Sequence, residues 1–196
     1  HPEEDDGSTL ATIINDTLAR KGKVIIPAFA IGRVEELLYW LFRLEDSGRI
    51  ERVPIYVDSP MAIKGLQYYG ARTDELDPDV AQMRRKLPRF TAVDSPQDSM
   101  ALVDNDRPAV IIASSGMATG GRVVHHLFAG LPDPRNTVLF VGYQAAGTRG
   151  RQLIEGAPKG RQVAFEAYGM YGSFQLMIWL GCGCRELWEM LGSLAD

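Results

Sequence analysis

Ser114, Ser115, Gly116, Met117, Ala118, Thr119, Gly120, Gly121 and Arg122 follow directly on the apolar run Ala109 to Ala113. Glycines let a backbone come close to a ligand, and arginine carries a planar, permanent charge. The chemistry such a stretch offers is the holding of a phosphate. Gly116 and Gly121 are separated by four residues, as in a Walker loop, but Arg122 occupies the lysine position and Val123 the position of the magnesium-binding hydroxyl. A metal-bound nucleoside triphosphate would lose two anchors, which excludes an ATPase. The three spaced glycines of a dinucleotide site are also missing after the first strand. A tight strand-to-helix turn with no ligand accounts for the same glycines, so the loop alone leaves both readings open.

Other side chains could act beside it. Arg33 stands after an earlier strand as Arg122 stands after this one, and Arg149 and Arg151 flank Gly147, Thr148 and Gly150. A lone surface arginine is usually only solvated, but repeated placement at strand ends suits a polyanion, because the guanidinium fork matches phosphate. Asp58 ends a strand before Ser59 and Pro60; it reads equally as a catalytic carboxylate and as a helix-start residue. His125 and His126 are about 100° apart on a helix and cannot share a metal as an i, i+4 pair would. They fall off the apolar stripe Val124, Leu127, Phe128, Leu131, and are expected at the surface or rim. Cys182 and Cys184 have no histidine nearby, which speaks against zinc. No set of nucleophile, base and orienting group emerges.

The elements that must position these residues alternate. Ser8 or Thr9 caps a helix with Leu10, Ile13, Ile14 and Leu18 on one side, ending near Lys21 and Gly22. Strands follow at 23–26, 53–57, 109–113 and 137–141. Between the first two lies a helix with Val34, Leu37, Leu38, Leu41 and Leu44 on one face, closed by Gly48. Another helix starts at Pro60 and runs through Tyr69. From Gly70 to Asp106 the pattern loosens into helical pieces around 77–86 and 95–104 with a short strand at 90–93, an insertion-like excursion. A last helix runs through Glu155. The expected fold is a three-layer α/β domain, a mainly parallel sheet with helices on both faces, and such sheets bind ligands at the carboxyl ends of their strands.

Composition bounds the function. At 196 residues the chain can fill one core, and 45% hydrophobic with 23% charged residues is ordinary for a soluble protein. No apolar run approaches membrane-spanning length and no signal peptide is evident, so a cytoplasmic setting is expected. The net charge of −4 means that a nucleic acid would have to be gripped by a local patch. The opening His1, Pro2, Glu3, Glu4, without methionine, reads as a piece of a longer chain.

Taken together the loops resemble a known family. Pro27 to Arg33 with Glu35, Glu36, Leu37 and Leu38, then Tyr56 to Ala62, then Ser115, Gly116, Met117, Gly120, Gly121, Arg122 with His126 and Leu127, and finally Gly142, Tyr143, Gln144, Ala145, Gly147, Thr148 and Gly150, resemble the β-CASP domain of metallo-β-lactamase-fold RNA-processing nucleases. Four motifs in the family's order make a chance match improbable. The resemblance covers about residues 1–163; residues 164–196 diverge and read as the start of the return to the metallo-β-lactamase domain. Where the family carries Ser-Ala-His-Ala-Asp, this chain has Ile178, Trp179, Leu180, Gly181, Cys182, Gly183 and Cys184.

The resemblance implies an RNA-binding cap domain of a zinc-dependent ribonuclease or exonuclease, whose metal cluster, H-x-H-x-D-H, lies outside this chain. The chain by itself is then expected to cleave nothing: it holds no catalytic residue, no metal ligand and no bound cofactor. RNA phosphates would lie on Arg33, Ser115, Gly116, Gly120, Gly121, Arg122 and Thr148. Phe29, Asp58, Ser59, Met117 and Gln144 would line the cleft. Implied partners are RNA and the metallo-β-lactamase domain of the same protein, with a homodimer compatible and no membrane. The competing classes are a nucleotide- or phosphosugar-binding α/β module and a non-catalytic RNA-processing subunit.

Overall fold

In the computed structural model, residues 7–70 and 90–156 are described, together with the strands of 162–169 and 172–180. The elements alternate as α1 (Ser8–Ala19), β1 (Lys23–Pro27), α2 (Arg33–Asp46), β2 (Ile55–Asp58), α3 (Pro60–Gly70), β3 (Phe90–Ala92), α4 (Pro96–Asp104), β4 (Ala109–Ala113), α5 (Arg122–Gly130), β5 (Thr137–Val141), α6 (Arg149–Gly156), β6 (Gln162–Gly169) and β7 (Gly172–Leu180). One sheet runs in the order β3-β2-β4-β1-β5-β7-β6. Its first five strands are mutually parallel, and β7 and β6 complete it antiparallel.

Parallel strands are covered on both faces, so their sequences are apolar throughout. Val110 and Ile112 of β4 face one core with Val24, Ile26, Val57 and the inner sides of α1, α2 and α3. Ile111 and Ala113 face the other, with Ile25, Val138, Phe140 and the inner sides of α4, α5 and α6. The three-layer α/β expectation therefore holds. β1 sends α2 to one face while its neighbours β4 and β5 send α5 and α6 to the other, so their loops diverge at the carboxyl edge, the arrangement at which open α/β sheets take ligands.

Several local expectations change. α1 begins after Gly7, which takes φ 84°, and has no side-chain cap, so neither Ser8 nor Thr9 caps it. Its buried side also turns: Thr17 is fully buried because its hydroxyl reaches Thr137 Oγ1 at 2.6 Å. Phe90–Ala92 is no excursion; it extends the sheet parallel to β2. α4 starts at a capping box, in which Ser95 Oγ accepts from Asp98 N at 3.0 Å and donates to Asp98 Oδ2 at 2.7 Å. The helical piece expected around 77–86 lies outside the described residues. The hairpin β6–β7 occupies the segment in which the sequence showed only divergence.

The largest change is on α5. Its buried residues are Val123, His126, Leu127 and Gly130, one position back from the expected stripe, while Phe128 is exposed. His126 thus faces the core, contrary to the rim placement read from the sequence. His125 is exposed, as expected.

Candidate nucleic-acid interface at the carboxyl edge

Asp58 ends β2 with a side chain of 0% exposure. Three donors meet it: Arg122 Nη1 at 2.8 Å to Oδ1, His126 Nε2 at 2.6 Å to Oδ2, and Ser99 Oγ at 2.6 Å to Oδ2. Burial pushes its pKa up, but hydrogen bonds from His126, Ser99 and Arg122 together outweigh that and hold it below the usual 3.8. Arg122 also donates to the carbonyls of Val93, at 2.8 Å, and Asp94. One buried carboxylate therefore ties β2, α4, α5 and the loop after β3 together. Of the two roles left open for Asp58, the geometry gives a structural one.

The glycine-rich loop is built on that hub. Ser114 Oγ pairs with Ser59 Oγ at 2.7 Å, and Ser59 Oγ accepts from Ala62 N at 3.2 Å to start α3. Ser115 Oγ accepts from Thr119 N at 3.1 Å, closing the loop on itself. Gly121 precedes α5 with φ 73°, and no side chain caps that helix. Gln144 is buried; its amide donates to Gly116 O at 3.0 Å, joining the loops after β4 and β5, while its Oε1 meets no partner. Gly150 N donates to Met117 O at 2.9 Å across the same seam.

Arg33 sits differently from Arg122. Its Nη1 donates to Glu36 Oε2 at 2.8 Å, both side chains are partly exposed, and a Cβ placed on Gly142 would stand 3.7 Å from its Nη2. Beside it, Glu35 has both carboxylate oxygens buried without a hydrogen-bond partner. Burial raises its pKa, offset only in part by the nearby backbone N–H groups of Glu35 itself and Gly32. Phe29 is 45% exposed and lays its ring against Gly116, where a Cβ would come within 2.8 Å of it.

Of the residues read from the sequence as a phosphate cradle, Arg33, Ser115, Gly116, Gly120 and Gly121 follow the strands at one edge, beside Phe29 and Met117, while Asp58, Ser59 and Gln144, expected to line the cleft, are buried beneath the loops. The structure turns two others of the cradle inward. Arg122 serves Asp58, and Thr148 caps α6, donating to Ala145 O at 2.6 Å and accepting from Arg151 N at 3.3 Å. Arg151 lies along its own helix on Glu155 at 2.6 Å. Among the described residues no group of three or more His, Cys, Asp or Glu comes together around a metal position. The buried Asp58–His126 pair does not suit one either, since the Arg122 guanidinium already fills the cation's place. No helix among the described residues is long and apolar enough to cross a membrane.

The mainly parallel sheet with helices on both faces is the architecture expected from the resemblance, and comparison with known proteins gives the family. The Beta-Casp domain family matches residues 34–153, and this chain belongs to it. It is 38% identical over 186 residues to "Ribonuclease TTHA0252" of Thermus thermophilus, covering 86% of this chain and 43% of that protein. It is 39% identical over 153 residues to "Transcription termination factor FttA" of Lokiarchaeum sp., covering 75% and 24% respectively. An "RNase J-like protein" of Methanocaldococcus jannaschii is 36% identical over 174 residues, covering 82% and 40%. The chain thus spans less than half the length of these relatives.

Proposed function

We propose that this chain is the RNA-gripping cap of a metal-dependent ribonuclease, with zinc as the metal, and that residues outside it supply the ligands and the cleavage. The observation that carries the reading is the carboxyl edge: Arg33 and the start of α5, which no side chain caps, stand there together with a glycine loop of restricted shape. Helix N-termini and guanidinium groups favour phosphate oxygens, and such contacts give affinity with little sequence choice. The family and the RNA-directed names of the relatives support it. In this reading a metallo-β-lactamase domain closes the cleft from the other side and Asp58, His126 and Arg122 hold the loops in shape. Zinc would supply a metal-bound hydroxide as nucleophile when present in that other domain.

The test is RNA affinity measured by fluorescence anisotropy across a salt series. A linear fall of log affinity with log salt is expected, and Arg33→Gln should make that slope shallower by about one phosphate contact. Salt-independent binding, or none by the intact protein that contains this chain, would overturn the reading.

A further inference from the structure

The loops at the carboxyl edge expose aromatic rings that the phosphate contacts do not use. Tyr143 is 68% exposed and Phe29 45%; of the other exposed large apolar side chains among the described residues, the aromatic ones, Tyr68 and Phe128, lie on helices and not in these loops. Phe29 and Tyr143 leave the sheet at one level. β1 pairs with β5 as Ile25↔Val138 and with β4 as Pro27↔Ala113, so the loops bearing Phe29, Tyr143 and Gly116 emerge side by side. Neighbouring strands are about 4.8 Å apart, so the two rings are carried by loops that start from adjoining strands. The Phe29 ring is not loose: Gly116 brings the loop backbone against it, and Gln144, next to Tyr143, binds that same glycine's carbonyl. Arg33 Nη2 lies beside Gly142, the residue before Tyr143.

We propose that Phe29 and Tyr143 are base-stacking platforms, and that the edge therefore takes single-stranded RNA with its bases turned toward the protein and its backbone toward Arg33. This rests on the RNA reading above. An aromatic ring held beside a guanidinium fits a nucleotide, whose base has an apolar face and whose linkage is anionic; an apolar protein surface would gain nothing from the cation. Stacking is tolerant of base identity, since every base offers such a face. Duplex RNA hides its base faces and gains nothing here.

The test compares two labelled probes of equal length and charge, a 12-mer of uridylate and a 12-mer of abasic ribose phosphate, on the intact protein. The uridylate should bind more tightly. Phe29→Ala and Tyr143→Ala should each weaken the uridylate on the order of tenfold and leave the abasic probe unchanged, while Tyr143→Phe retains wild-type affinity. Arg33→Gln should weaken both probes alike. Equal binding of the two probes, with the alanine variants silent, would overturn the stacking and leave the RNA reading standing. Failure of both probes on the unmodified protein would remove both. Variants that alter the oligomeric state but not uridylate affinity would assign the rings to a protein partner and also overturn the proposal. If an alanine variant unfolds, Phe29→Leu, which keeps the packing on Gly116 and loses the aromatic face, must still lose the uridylate advantage.

Discussion

Two flanks of one sheet edge carry the same kinds of residue and use them oppositely. On the β2–β4 flank, Asp58 is buried with three donors and Arg122 is spent on it and on two carbonyls. On the β1 flank, Arg33 pairs with the partly exposed Glu36, Phe29 is 45% exposed, and the Glu35 carboxylate is buried with no side-chain partner. Both flanks start a helix with glycine followed by arginine. Satisfied polar groups fix a shape, and partly satisfied ones leave interactions available to a ligand. In the proposed reading the first flank is scaffold and the second offers the contacts to RNA.

The largest effect should come from breaking the scaffold. Asp58→Ala takes the acceptor from the buried His126 Nε2 and Ser99 Oγ and leaves the Arg122 guanidinium with carbonyls but no counter-charge, at an expected cost of about 3–5 kcal/mol, read from urea unfolding. The pH dependence has a fixed sign. Asp58 has a folded pKa below its ordinary 3.8, so its carboxylate contributes stability in full above that value and loses it as pH falls through the lower folded pKa. The gap between wild type and Asp58→Ala should accordingly narrow in acid below that value. A gap that stays constant through acid would show that Asp58 is not the group holding this flank together.

That hub also marks how far the sequence could be read. The strands β1, β4 and β5 and the inner face of α2 were legible because their periodicity is local and apolar. His126 was not. A polar residue on the core side of α5 makes sense only once Asp58, 68 positions away, is known to meet it, so periodicity shifted the stripe by one residue toward Val124 and Phe128. Arg122 misled for the same reason: its place after a glycine loop resembled that of Arg33, and only the long-range partner separates them. The β6–β7 hairpin does carry a local signal, the near-continuous apolar run from Phe174 to Leu180 shortly after Gly172. The candidate edge itself was visible, since every strand-end loop of a parallel sheet must share one side.

A middle-sized effect tests the seam between the flanks. Gly116→Ala would place a methyl 2.8 Å from the Phe29 ring and 2.9 Å from its backbone nitrogen, so ring or loop must move. Overpacking of this kind costs about 1–3 kcal/mol. Its sharper consequence is functional, because displacing Phe29 should weaken binding to single-stranded RNA by more than to an abasic chain. A variant of normal stability and normal RNA affinity would mean that the two flanks are not coupled through this contact.

The smallest effect, and the one of opposite sign, belongs to Glu35. Its carboxylate is desolvated, the backbone N–H groups at the start of α2 offset that only in part, and its pKa is raised above the ordinary 4.5. An acid with a raised folded pKa contributes its stability when protonated, fully below the unfolded value, and loses it as pH rises through the folded value. Near neutral pH Glu35 is therefore a burden on the β1 flank, where Asp58 is a support on the other. Glu35→Gln removes the charge and keeps the shape, so it should raise the melting temperature at pH 7 slightly, with the gain shrinking toward pH 4. The same change removes a negative charge beside Arg33, and RNA affinity should rise modestly at low salt. A destabilised variant at pH 7 would show that this carboxylate is held by the start of α2, and the contrast between the flanks would then rest on Arg33 and Phe29 alone.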